Sequence, residues 1–286
     1  PTDYRKTILY NTYDVTSQLQ QENAIGVTLG NGRFYTMRQN YKPYKIPTFG
    51  YPKLRLNLIV EYADGSKETI ATNTSWKLTT EGPVRSNNEY DGEEYDARKE
   101  LGNWTQTDYD DTKWMPAERV SIPSGTLRAQ MMPGMKVTET LKPVSIQKMG
   151  DKYIMDTGQN LAGWVRFRNK GQAGDSIRLH FAERLESDGE IFTKNLRDAH
   201  CTDIYVVSGR EPQGATWAPR FVYHGFRYVE ISGYPDAKTE DFVVEVVEDE
   251  MDHTGSFSCS DKTLNQVVRN AFWGIRSNYK GMPVDC

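Results

Sequence analysis

LRLNLIVEYADGSKETI, residues 54–70, decides the fold class of this chain. Leu54, Leu56, Leu58, Val60 and Tyr62 alternate with Arg55, Asn57, Ile59 and Glu61, the period of a half-buried antiparallel strand. The run enters Asp64-Gly65, a strong hairpin signal, and resumes at Glu68-Thr69-Ile70. The design recurs in SIRLHFAERL (176–185), where Ile177, Leu179 and Phe181 share a face and Asp188-Gly189 follows. Further strands are predicted at 164–168, 203–207, 227–232 and 242–248, with another beginning near 142–146. TILYNTYDVT (7–16) reads as an inner strand with no partner strands before it, which would leave exposed edges. Short strands broken by Gly, Pro, Asn and Asp specify sandwiches or jelly rolls, so the chain is mainly β.

The last stretch departs from that pattern. In TGSFSCSDKTLNQVVRNAFWGIRSNYKGMPVDC (254–286), Leu264, Val267, Val268, Ala271 and Ile275 fall on one helical stripe. Ser260 and Asp261 can cap the helix, predicted over 261–280, and Gly281 with Pro283 closes it. One helix cannot bury its own stripe, so the chain reads as a fragment cut where an α domain begins. A Pro-, Gly- and Met-rich stretch, IPSGTLRAQMMPGMKV (122–137), places an earlier boundary near 140. The expected units are 1–140 and 141–253, two β-sandwiches, and 254–286, the start of the helical part.

At 286 residues, two domains are the prior expectation. Six Trp, seventeen Tyr and ten Phe supply apolar area for the cores. A net charge of -4 argues against a nucleic-acid partner, which calls for a clustered basic face. No apolar run approaches the ~20 residues that span a membrane. Cys201, Cys259 and Cys286 lie at wide spacings that match neither a zinc site nor a disulfide scaffold, and they leave the compartment open.

The densest carboxylates lie in EYDGEEYDARKE (89–100) and DYDDTKW (108–114). Glu93, Glu94 and Asp96 could supply the two carboxylates of a glycosidase or oxygen ligands for calcium. The competing reading makes Asp91-Gly92 a turn, with its acids solvated or paired to Arg98, and it outweighs the first. Asp110 and Asp111 read as a turn that leads Trp114 into a core. His224 stands among aromatics in FVYHGFRYVEISG (221–233); with no fitting nucleophile in view, it reads as a packed hydrogen-bonding residue rather than an acid–base group. His180 alternates outward and is expected to be exposed. LGNGRFY (29–35) lacks the Lys-Ser/Thr ending of a phosphate loop and reads as a turn. Tyr90, Trp104 or Trp164 could stack on a sugar ring if exposed.

Seven strings resemble, in order, the amino-terminal part of bacterial α-L-rhamnosidases, glycoside hydrolase family 78. They are NTYDVTSQL (11–19), ENAIGVTLGNGRFY (22–35), EYDARKE (94–100), DTGQNLAGWVRFR (156–168), FAERLESDGEI (181–191), NLRDAHCTDIYVVSG (195–209) and FVYHGFRYVEISG (221–233). TGSFSCSDKTLNQ (254–266) and MPVDC (282–286) are similar to the entry into that family's catalytic domain. The resemblance implies an accessory jelly roll lacking its first strands, then a concanavalin-like sandwich, then the first helix of an (α/α)6 barrel. It implies a parent enzyme that hydrolyses terminal α-L-rhamnosides with inversion, through a general acid and a general base. Asp285-Cys286 matches the first two positions of the family's Asp-Cys-Pro-x-Arg motif, so Asp285 would contact substrate; Val284 stands where Thr is common. No catalytic acid or base is expected in this chain, no cofactor is required, and the partners implied are L-rhamnose-containing glycosides or polysaccharides. Some members bind rhamnose through an accessory jelly roll with calcium. Asn87, Asn88, Asp91 and Glu93 hold oxygens for such a site, although a purely scaffolding role ranks above it. The face awaiting the barrel would be apolar, and a dimer through helix 261–280 is the corresponding expectation.

Overall fold

The computed structural model describes residues 3–32, 34, 35 and 50–284. In chain order, β1 (Thr7–Tyr10), β2 (Asn57–Glu61), β3 (Lys67–Ala71), β4 (Lys77–Leu78), β5 (Val84–Asn88), β6 (Gly92–Asp96), β7 (Met115–Pro116) and β8 (Thr126–Ala129) fill the first half. Then come β9 (Met135–Leu141), β10 (Ser145–Met149), β11 (Lys152–Arg168), β12 (Ser176–Ala182), β13 (Thr202–Val206), β14 (Thr216–Trp217), β15 (His224–Ser232) and β16 (Phe242–Asp249). The helix α1 (Lys262–Asn278) follows. The chain is therefore mainly β with a terminal helix.

The predicted hairpin forms as β2 and β3, paired antiparallel from Asn57↔Ala71 to Glu61↔Lys67 around Asp64-Gly65. Its alternation holds at the centre, with Leu56, Leu58 and Val60 half-buried and Ile59 exposed, but Leu54 and Tyr62, read as inward, are exposed beyond the ends of β2. Among the described residues, β1–β8, β2–β3 and β4–β7 stand as separate two-stranded sheets rather than one continuous sandwich layer. The first strand is shorter than the reading of 7–16. It ends at Tyr10 and, among the described residues, pairs in parallel with β8 alone.

A ten-stranded sheet holds the core, in the order β5-β6-β13-β12-β15-β11-β16-β9, with β10 and β14 also on β11. The 17-residue β11 is its hub, pairing with four strands. Its register against β15 shifts between Asp156 and Leu161, where a bulge lets a long strand curl. Gly163 sits where β15 and β16 both meet β11; a Cβ there would lie 2.0 Å from the Glu245 carbonyl oxygen. The curl encloses Met155, Val165, Phe167, Ile177, Leu179, Phe181, Phe226, Val229, Ile231 and Val244, all fully buried. Phe167 meets the rings of Tyr205, Trp217, Tyr234 and Phe242 with centroids 5.6–6.5 Å apart.

Hydrogen bonding crosses the boundary expected near 140. The β5–β6 hairpin joins this sheet through a parallel pairing of β6 with β13 (Ile204↔Glu94 to Val206↔Asp96), and β9 pairs with β16. Residues 84–96, read as part of the first sandwich, are built into the second. The sequence pattern could not show this, because the pairing partner lies about a hundred residues away.

Candidate functional site

The β5–β6 hairpin carries the four oxygen-bearing residues singled out above, Asn87 and Asn88 at the end of β5, Asp91 in the turn and Glu93 at the start of β6. Asn87 Oδ1 accepts the Asn31 amide at 2.8 Å. Asn88 Oδ1 accepts the amides of Tyr90 and Asp91, and its Nδ2 donates to Asp91 Oδ2 at 3.0 Å. Asp91 Oδ1 accepts the His200 amide at 3.1 Å. Both oxygens of Glu93 face inward and accept from the backbone N–H groups of Arg220 and Phe221. Every one of these side chains is engaged by N–H donors, which a calcium ion would have to displace. Among the described residues, no three His, Cys, Asp or Glu side chains converge as a metal site. Together these bonds pin the turn. Adding excess calcium, or a chelator, is expected to move the melting temperature by less than about 1 °C in scanning fluorimetry, because a ligand stabilises only a state it binds.

Beneath the turn lies a charged cluster that the sequence only half revealed. Gly92 (φ 99°) lets β6 close on β13, since a Cβ would fall 2.2 Å from the Thr202 carbonyl oxygen. Glu93 is 1% exposed, and burial lifts its carboxyl to about 7, with the nearby Asp203 charge adding to the rise against the two amide bonds. Asp203, wholly buried, accepts the Glu93 amide at 3.0 Å through Oδ1, and that same oxygen lies 3.0 Å from His224 Nε2. The other nitrogen, Nδ1, faces Cys201 Sγ at 3.4 Å, and the ring stacks on Phe181 with centroids 4.1 Å apart. Burial alone would push the imidazole down; the Asp203 carboxylate overcomes it and holds the ring at about 10, charged at neutral pH. Thiol, imidazole and carboxylate thus stand in the order of a catalytic triad. Cys201 and His224 are nonetheless both buried, so the arrangement ties β13 to β15. Nothing near Asp203 in the sequence marks it as the partner of His224.

The remaining candidates resolve locally. Asp96 is forked onto Arg98 at 2.8 Å, leaving Glu94 exposed beside a surface hollow of about 240 Å³. That hollow is lined by Ser86, Glu94, Arg178, His200, Thr202 and Ile204 among others, and it has no aromatic platform for a sugar. Tyr90, Trp104 and Trp164 are all half-buried, and Trp164 Nε1 donates to Glu245. Asp110 accepts the Thr112 amide and Asp111 pairs with Lys77, while Trp114 packs, half-buried, on Trp104 and Tyr109. His180, expected to be exposed, is half-buried on the outer face, where burial lowers its pKa. In 29–35, Asn31 meets Asn87 and Gly30 packs against the Phe221 ring; Arg33 lies outside the described residues. Cys201 and Cys259 are free thiols, and Cys286 lies outside the described residues.

The other end of the sheet grips the helix. Asp261 caps α1 by accepting the amides of Thr263 and Leu264. Arg276 lies over the Trp273 ring at 4.2 Å, forks onto Glu248 at 2.8–3.0 Å and reaches Glu139 at 2.9 Å. Burial by itself would raise the Glu248 carboxyl, but Arg276 and Thr138 bring it below the usual range. The apolar stripe points the other way: Leu264, Val267 and Ile275 are 45–55% exposed. After the helix, Asp249 Oδ2 accepts the Gly281 amide, and Val284 donates to the Asn278 carbonyl at 2.8 Å. Asp285, the expected substrate contact, lies just beyond the described residues.

A curled antiparallel sheet that buries its concave face and carries a helix on one end is a concanavalin-like sandwich joined to an α-helical element. Three family models match in succession: the α-L-rhamnosidase N-terminal domain at residues 1–139, the bacterial α-L-rhamnosidase concanavalin-like domain at 146–248, and the bacterial α-L-rhamnosidase six-hairpin glycosidase domain at 252–286. The chain belongs to the bacterial α-L-rhamnosidase family. An α-L-rhamnosidase of Streptomyces avermitilis is 37% identical over 297 residues, covering 99% of this chain and 28% of that protein. The solved structure of an α-L-rhamnosidase from Dictyoglumus thermophilum superposes with a TM-score of 0.89 at 36% identity, over 100% of this chain and 32% of that one. The structure of a Streptomyces avermitilis α-L-rhamnosidase complexed with L-rhamnose gives 0.84 at 32% identity, over 99% and 27%. The chain therefore spans about 30% of the length of these relatives.

Proposed function

We propose that this chain is the non-catalytic amino-terminal part of an inverting α-L-rhamnosidase, and that it builds and orients the start of the catalytic domain. The observation that carries this reading is α1. Its inner side is clamped to the sheet by Arg276, while its apolar stripe is presented outward within the segment that matches the glycosidase domain. A stripe of that kind calls for neighbouring helices. On the isolated chain it is also the face through which two copies would pair. The substrates are terminal α-L-rhamnosides, a class supported by the relatives' names and by the L-rhamnose complex of one of them. Asp285 contacts the sugar. Inversion requires an acid and a base ~6.5–9.5 Å apart. In 89–100, Glu93, Asp96 and Glu100 are tied into the fold and Asp91 holds a turn.

The isolated 286-residue chain is accordingly expected to release no nitrophenol from p-nitrophenyl α-L-rhamnoside above the buffer rate. The intact enzyme is expected to release it with β-L-rhamnose as the first sugar seen by NMR. Hydrolysis by the isolated chain would overturn the non-catalytic assignment, and α-L-rhamnose as first product would overturn inversion.

A further inference from the structure

We infer that Asp249 is a positioning residue for the segment that leads from α1 to Asp285, acting through the hydrogen bond from the Gly281 amide to its carboxylate. The inference rests on the proposed function for the role of Asp285. Its structural half stands on the contacts below.

Asp249 is the last residue of β16 and is 6% exposed. Its Oδ2 takes the Gly281 amide, while its Oδ1 is buried with no hydrogen-bond partner. The segment it holds is a tight return. Tyr279 and Pro283 form a bridge, the Lys280 amide donates to the Met282 carbonyl at 3.1 Å, and Gly281 takes φ 78°. Positive φ at Gly281 turns its N–H back toward the sheet, where a side chain would strain the backbone. The charged groups around the segment are few. Lys280, also buried, donates from Nζ to the carbonyls of Arg276 and Tyr279, at the negative end of the helix. Burial lowers that ammonium, with the Asp249 and Glu248 charges opposing the drop and Arg276 adding to it. Glu248 is already committed to Arg276 and Thr138.

As packing alone, a buried carboxylate with one oxygen unpaired is a poor choice, and an uncharged residue of similar size would be less costly. What the carboxylate provides is a fixed acceptor at the end of β16, a strand that β11 pairs as far as Val246 and β9 pairs through Asp249 itself. The position of Gly281 is thus set by the sandwich, and Asp285 follows four residues later. Misplacement of a substrate-contacting group by about 1 Å can cost 10²-fold in rate, so the sandwich would enter the reaction through this contact, beside the Asp249 amide's bond to the Tyr279 carbonyl at 3.4 Å.

The test uses the intact enzyme carrying this chain, as wild type, D249A, D249N and D249E. Kinetics on p-nitrophenyl α-L-rhamnoside are paired with melting temperature and hydrogen exchange at Gly281. D249A is expected to raise KM about tenfold or more and to speed Gly281 exchange. D249E, which keeps the charge but moves it by one methylene, is expected to raise KM as well. D249N, whose amide oxygen still accepts the Gly281 N–H, should restore KM to near wild type. A purely structural role would lower the melting temperature and leave the KM of the folded enzyme unchanged; that result in D249A and D249E overturns the inference. If D249A does not fold, D249E and D249N decide it by the same criterion, and a D249N as impaired as D249E overturns it too. An inactive wild type would instead sink the rhamnosidase reading, while Gly281 exchange in the variants would still judge the structural half.

Discussion

Asp203→Ala is expected to lower the unfolding free energy of the β-sandwich by about 3–5 kcal/mol, the range for breaking a buried charge pair by removing one partner. The variant leaves His224 in a site where its side chain is 1% exposed, stacked on Phe181, and takes the acceptor from the Glu93 amide. Without the carboxylate, burial dominates and the imidazole gives up its proton. Relief of the repulsion between Asp203 and Glu93 returns part of the loss above about pH 7, where Glu93 is ionised. Urea unfolding at a series of pH values separates charge from packing. His224 is raised from 6.5 to about 10, so its contribution is whole below pH 6.5 and fades as pH climbs through about 10. The deficit of D203A should therefore be largest at about pH 6.5 and below, and shrink toward pH 10. An equal deficit at both ends would show that Asp203 acts by packing alone.

The second large effect is on the pH dependence of stability itself. Glu93 is raised from 4.5 to about 7 by burial, so between those values the folded chain binds more protons than the unfolded one. Stability then falls as pH rises through that window, by roughly 3 kcal/mol at 1.36 kcal/mol per unit. The His224 loss continues the decline from pH 6.5 upward. Carboxylates held low act in the opposite sense below pH 4. For Asp156, burial is outweighed by Arg227 and the Gly158 amide, and for Glu248 by Arg276 and Thr138, so the stability both contribute is fully present above their unfolded values and is lost as pH falls through the lower folded ones. The profile should peak near pH 4.5–5 and decline beyond it. Glu93→Gln, which keeps one acceptor for the Arg220 and Phe221 amides, is expected to flatten the decline between pH 5 and 7. Chemical denaturation of both proteins across that range checks it: a slope unchanged in E93Q would place the titrating group elsewhere.

The regular elements were legible because their signals are local. The 54–62 alternation and Asp64-Gly65 specify β2, β3 and their turn. The 3.6-residue stripe and Asp261 specify α1 within one or two residues of its ends. The competing reading of 89–100, a turn at Asp91-Gly92 with its acids solvated or paired to Arg98, agrees with the contacts of Asp91, Glu94 and Asp96 but not with Glu93, which is buried on the Arg220 and Phe221 amides. What was not legible concerns partners distant in sequence. Asp203 and His224 are 21 residues apart, Glu93 and Phe221 are 128 apart, and Arg276 and Glu139 are 137 apart. Glu248 and Asp249 looked like ordinary acidic strand residues, since no neighbour in sequence shows that they grip a helix end.

The sequence by itself determined that strands, tight turns and one amphipathic helix would form, and which family the order of its motifs resembles. Periodicity, turn chemistry and capping act over a handful of residues and need no tertiary context. Only the tertiary structure decided that the β5–β6 hairpin enters the large sheet and that the oxygens of 87–93 serve the fold. It also decided that the helix's inner side, not its apolar stripe, faces the sandwich. Those outcomes depend on register and burial, and a carboxylate's role is set by the donors that other strands bring within 3 Å of it.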